Sequence, residues 1–241
     1  MKELLERVIA AHGNMDRWNG FKSVRAHVLL GGGLWALKGQ GGVLSDGITR
    51  VELHRQFAST APFREPGLRS SFTPDRVAIE TENGEVVEER FHPRDAFAGH
   101  DVTTPWDRLH LAYFNGYAMW GYLTEPFSLA GPGFEAEELE PWQEDGETWR
   151  RLRVLFPDNI AAHSKENVYY INADGHIMRH DYVSEVLGPK APLAAGYASD
   201  HREFDGFVFP AKRLIYAVGE GGHPMKDQLL VSIDLSDVTF D

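Results

Sequence analysis

The sequence predicts a mainly β fold with helices (α+β): a curved antiparallel sheet of roughly ten strands, forming an unclosed barrel. It adds an N-terminal helix and a helical plug inserted near the middle of the chain. Three observations predict this. Alternating apolar and polar runs recur along most of the 241 residues. Turn-forming Asx-Gly dipeptides at 46-47, 83-84, 145-146, 174-175 and 205-206 fall at or near the ends of those runs, as an antiparallel meander requires. One long stretch between residues 92 and 127 carries helical rather than strand periodicity. A sheet of this size must curl or close, so its concave face needs filling, and the central helices are the obvious filler. We read one domain over 1–241, with the helical insertion at about 92–127.

In chain order, residues 2–12 predict a helix. Leu4, Leu5, Val8, Ile9 and His12 form its inner stripe and Gly13 ends it. A further turn of helix is expected around Asp16 to Gly20, with Trp18 packed inward. Strands are expected at 23–30, 34–38, 48–57, 76–81 and 85–91. The glycines at 31–33 and 39–42 are followed by more strand rather than by a helix, which excludes a dinucleotide-binding loop. Thr104-Pro105 opens the central helix and Pro126 closes it. A short helix at 94–99 precedes the long one at 106–123. After the insertion, strands are expected at 134–142, 148–156, 168–171, 176–187, 197–204, 207–218 and 229–240.

Composition narrows function by exclusion. Lys plus Arg is 24 and Asp plus Glu is 36, a formal charge of -12. Such a surface repels phosphate backbones, so nucleic acid and anionic membranes are poor partners. There is no cysteine, hence no disulfide, thiolate metal site or cysteine nucleophile. No apolar run reaches the length of a membrane span, and the N-terminus is amphipathic rather than a signal peptide. Cytoplasmic localisation without stable membrane insertion is therefore expected, provided the chain is not a trimmed piece of a longer one.

The layout resembles the lipoprotein-carrier superfamily, the LolA/LolB-like fold. That fold has an N-terminal helix, an antiparallel sheet bent into an unclosed barrel, and mid-chain helices plugging its concave side. The stretch YYINADGHIMRHDY at 169–182 resembles the strand–Asp-Gly–strand hairpin common there. Phe209-Pro210-Ala211-Lys212-Arg213 resembles a following strand, and the opening AHG…W…FKSV resembles the helix-to-first-strand passage. The resemblance implies a cavity for apolar ligands. It transfers no functional residue by position. The carriers are exported, so a periplasmic lipoprotein shuttle is not expected here.

The candidate site is the aromatic face of the central helix. Trp106, His110, Tyr113, Tyr117 and Trp120 recur at spacings of three and four. Such a stripe is more often core than ligand lining. The hydroxyls of Tyr113 and Tyr117 and the ring of His110 nevertheless need partners, which points to a pocket. The expected partner is an apolar or amphipathic small molecule, with no cofactor and no metal. An alternative is a cofactor-free enzyme with His110 as acid/base, Tyr113 as hydrogen-bond donor and Asp107 as orienter. A third reading is a purely structural or interaction protein. Asp107 also fits a helix-dipole carboxylate. The eleven histidines lack a metal-ligand pattern, and His176 and His180 lie too far apart along a strand to share an ion. Arg94, Arg179 and Arg213 are candidates to hold a ligand carboxylate.

Overall fold

The computed structural model describes residues 2–241. One antiparallel sheet of thirteen strands runs through it in the order β6-β5-β4-β3-β2-β1-β13-β12-β11-β10-β9-β8-β7. The first six strands are β1 (Ser23–Gly31), β2 (Asp46–Glu52), β3 (Ala58–Ala61), β4 (Leu68–Thr73), β5 (Arg76–Thr81) and β6 (Val86–Phe91). After the helical insertion come β7 (Glu135–Glu144), β8 (Glu147–Leu155), β9 (Glu166–Ile171), β10 (Ile177–Val183), β11 (Leu193–Phe204), β12 (Phe207–Val218) and β13 (Pro224–Phe240). Strand β13 returns to pair with β1, joining the two halves. The edge strands β6 and β7 pair on one side only, so the barrel is unclosed.

Four helices accompany the sheet: α1 (Lys2–His12), α2 (Met15–Trp18), α3 (Leu34–Leu37) and α4 (Arg108–Thr124). Leu4 and Val8 of α1 pack on Leu152, Val154, Tyr169 and Ile177 of the second half. Trp18 of α2 stacks on Phe127 at 4.2 Å between ring centroids and meets Phe207 edge-on. A 3-10 turn at Pro93–Phe97 replaces the short helix expected at 94–99.

The structure departs from the expected elements in other places too. The expected strand at 34–38 is the helical turn α3. Gly32, with φ of 103°, breaks β1 off, and the indole of Trp35 donates to Gly31 O at 2.9 Å. Two short strands, β3 and β4, were not expected, because Pro62 and Pro66 interrupt the alternation between them. The sheet thus has thirteen strands rather than roughly ten. The long helix starts at Arg108, not at Trp106, because Asp107 caps it.

Turn chemistry explains much of the register. Asp145-Gly146 and Asp205-Gly206 both have positive φ at each residue, the two-residue hairpin geometry that matches strand twist. Asp46-Gly47, by contrast, lies inside β2.

Helix α4 sits in the concavity against β2–β6. It approaches β4 so closely that a Cβ on Gly116 would lie 2.3 Å from Cγ of Phe72, itself fully buried. Gly116→Ala is therefore expected to destabilise the fold by about 1–3 kcal/mol through overpacking, although alanine is the better helix former. Urea unfolding measures this; a stabilised variant would refute the close approach.

Candidate functional site

Helix α4 is buried nearly all round: fourteen of its residues are buried, including His110, Tyr113, Tyr117 and Trp120. A helix apolar on every face belongs inside a protein. The predicted stripe consequently does not face one space.

Its first members are structural. Asp107 accepts from the His110 backbone N–H at 2.8 Å, and the His110 ring reaches back to Asp107 N, which closes a capping box. Nδ1 of His110 also lies 2.8 Å from Oδ1 of Asp107, while its Nε2 is 3.1 Å from Ala96 O. Both ring nitrogens are committed. The Asp107 carboxyl is held below its usual range: burial alone would raise it, but bonds from His110 and Arg90 outweigh that. Phe97 stands between His110 and Tyr113, at 4.6 and 5.8 Å from their rings. The structure therefore brings Asp107 and His110 together but leaves Tyr113 on a different wall. Trp106 precedes the helix and packs on Phe97 and Phe114, under the Lys38 ammonium at 5.0 Å.

The remaining members diverge into three spaces. Tyr113 lines a polar cavity of ≈ 570 Å³. Trp120 lines a mostly apolar cavity of ≈ 770 Å³, walled also by Trp18, Leu53, Phe127, Phe134 and Ile160. The two cavities share Pro74, Asn159 and Ile160. They meet at those three residues, the larger mostly apolar and the other carrying the charged side chains Asp75, Arg94, Asp95, Asp158, Lys165 and Glu185 on its wall.

Charges in the polar cavity are largely self-paired. Arg94 is 2.5 Å from Glu185 and donates to Ala162 O at 3.0 Å. Lys165 is 2.6 Å from Asp158. The wall common to both cavities is the strap of residues 157–165 between β8 and β9. Gln56 clamps it with two bonds to Ala161, one to its oxygen at 2.7 Å and one from its nitrogen at 2.8 Å.

Tyr117 points to a third, inner space. Its hydroxyl is 3.3 Å from Nδ1 of His163, which stacks on Tyr182 at 4.0 Å. A small chamber of ≈ 20 Å³ opens there, lined by Glu125, His163, Asn167 and His180 among others. Tyr169 donates to Glu125 at 2.6 Å, and His180 Nε2 bonds Asn167 Oδ1 at 2.9 Å. Burial drives His163 down to about 3, lowers His180, and raises Glu125. His163 and His180 are thus neutral at pH 7, and burial disfavours the charged form of Glu125.

The aromatic stripe of α4 contains neither Glu125 nor His163. Neither lies in a motif: Glu125 ends α4 beside Pro126, and His163 sits on the strap. Only folding brings them against His180. Of the arginines, Arg213 is buried with its guanidinium 4.7 Å from the Tyr122 ring. Arg179 lies on the opposite face of the sheet, in an ion-pair network with Asp181 and Glu144. Among the described residues, no group of three or more His, Asp or Glu side chains is placed to hold a metal ion. No helix among them is long and apolar enough to cross a membrane.

No family model matches the chain, and no curated protein matches it. Solved structures do. A DUF1329 family protein from Desulfovibrio piger is 12% identical with a TM-score of 0.57, covering 100% of this chain and 92% of that one. A LolA superfamily protein from Nitrosomonas europaea is 9% identical with a TM-score of 0.54, covering 100% and 93%. At such identities the likeness speaks to architecture, and it agrees with the unclosed sheet, the N-terminal helix and the central plug: the chain has the LolA-like fold.

Proposed function

We propose that this protein binds a hydrophobic or amphipathic small molecule on the flank of α4, with the apolar body of the ligand in the Trp18–Trp120–Phe127 cavity. The observation that carries this reading is the ≈ 770 Å³ aromatic-walled space open beside the plug helix and bordering a second one lined by charged groups. Its size and lining suit a small molecule with few polar groups. A filled plug needs an apolar face but no such space. Since His110 spends both nitrogens on structural bonds, binding is better supported than acid–base catalysis centred on that residue.

The test is uptake of the apolar fluorophore N-phenyl-1-naphthylamine. Wild type is expected to bind it and to release it to decyl-chain competitors. Ile160→Trp places an indole on the wall that the two cavities share. It is expected to weaken binding about tenfold or more while leaving the circular dichroism melt near that of wild type. An unchanged affinity in that variant, or no uptake by wild type, would overturn the reading.

A further inference from the structure

The inner chamber has a hydrogen-bonding pattern that the fold itself leaves unfinished. Three side chains on its wall, each more than nine-tenths buried, keep one polar atom without a partner: Glu125 Oε2, His163 Nε2 and His180 Nδ1. Buried polar atoms normally find partners, so three around one space is a pattern to be explained.

The roles of these atoms follow from the bonds already made. His180 Nε2 faces the Asn167 carbonyl oxygen, so it carries the ring proton and Nδ1 presents a bare lone pair. His163 Nδ1 faces two hydroxyls, Tyr117 at 3.3 Å and Ser184 at 3.4 Å. When it accepts from either, Nε2 carries the proton and becomes a donor. One acceptor, one donor and one carboxyl therefore surround a space of ≈ 20 Å³. That volume admits a single oxygen, not a phosphate or a chain.

The chamber also adjoins the proposed ligand site. Trp120 lines both it and the apolar cavity, and Ala161 and Ala162 of the strap line both it and the polar cavity. A ligand lying against Trp120 and the strap would present its terminal oxygen to the chamber from that side.

We propose that this chamber is the recognition end of the ligand site and takes one hydroxyl oxygen of the bound molecule, accepting from His163, donating to His180 and facing Glu125. This rests on the reading above and names the ligand class within it: long-chain or polycyclic alcohols rather than fatty-acid anions. A carboxylate would bury its charge beside the Glu125 carboxyl, and the buried Arg213 guanidinium, which acts on Glu125, does not itself line the chamber. The outer polar cavity is the weaker head-group site, because Arg94 and Lys165 are already paired with Glu185 and Asp158.

The experiment is displacement of N-phenyl-1-naphthylamine by decan-1-ol, undecane and decanoate, matched in chain size. Decan-1-ol is expected to bind about tenfold or more tightly than either of the others in wild type, because a site built to bond a hydroxyl disfavours analogues lacking it. His180→Phe keeps the stack on Tyr169 but removes the lone pair. It is expected to bind all three ligands with similar affinity. Equal affinities in wild type, or an alcohol preference that survives His180→Phe, would overturn the hydroxyl site and leave the binding function standing. Failure of all three to displace the probe would bring both down. If His180→Phe does not fold, Glu125→Leu removes the facing carboxyl instead and is expected to reduce the same preference; a full preference in that variant would equally count against the site.

Discussion

Replacing Arg179 with methionine is expected to cost about 3–5 kcal/mol of stability, read as a lower urea midpoint at unchanged slope. The guanidinium is fully buried and every donor is used. Nε and one terminal nitrogen grip Asp181 at 2.7 and 2.8 Å. The other terminal nitrogen reaches Glu144 at 2.9 Å and the Tyr197 hydroxyl at 3.0 Å. A last bond goes to Gly222 O at 2.8 Å. The single cation thus ties β10 to the end of β7, to β11 and to the turn before β13.

Removing it leaves two carboxylates in a desolvated site. Burial already raises the Asp181 carboxyl with Arg179 in place. Glu144 is held below its usual range because bonds from Tyr197 and Trp142, with Arg179, outweigh burial. Most of the expected loss is the penalty of those unpaired charges rather than the worth of the ion pairs. Adding Asp181→Asn and Glu144→Gln to Arg179→Met should therefore recover a large part of the loss. Strict additivity of the three substitutions would refute this account.

The second large effect is acid destabilisation. Burial lowers His12 to about 4 and His163 to about 3, from 6.5 in an unfolded chain. Between those limits the unfolded state holds protons that the folded state refuses. Stability from these groups is fully present above pH 6.5 and falls as pH drops toward 4, at ~1.4 kcal/mol per pH unit for each histidine. The total is about 3 kcal/mol for His12 and about 5 kcal/mol for His163. Burial lowers His180 and His201 in the same direction. Glu125 and Asp181, raised by burial, oppose it by favouring the folded state as they protonate. A melting temperature flat above pH 7 and declining steadily below 6.5 is the expected profile. His12→Phe, which removes the imidazole at the end of α1, should make that decline shallower by about one proton. A slope unchanged in the variant would show that His12 titrates normally.

Where the sequence was legible, a local rule carried the information. Asp145-Gly146 and Asp205-Gly206 announce hairpins because few other pairs adopt two successive positive φ values. Asp46-Gly47 shows the limit: the same dipeptide sits inside β2, where pairing to β1 decides its conformation. Residues 34–38 mislead for a similar reason, since one apolar turn of helix and one short strand look alike in a window of five.

The sequence by itself determined the architecture: an N-terminal helix, an antiparallel meander and an aromatic helix placed to fill its concavity. These follow from periodicity and turn chemistry, which act over neighbouring residues. Tertiary structure alone decided what the helix face means. Trp106, His110, Tyr113, Tyr117 and Trp120 share a helical spacing but not a fate, because α4 is buried nearly all round and its rings border different spaces. Tyr113 meets a polar cavity, Trp120 an apolar one, and Tyr117 the chamber of Glu125, His163 and His180. Those partners come from the helix end, the strap and β10. Only the closing of the sheet around the helix, driven by burial of apolar surface far apart in sequence, brings them together.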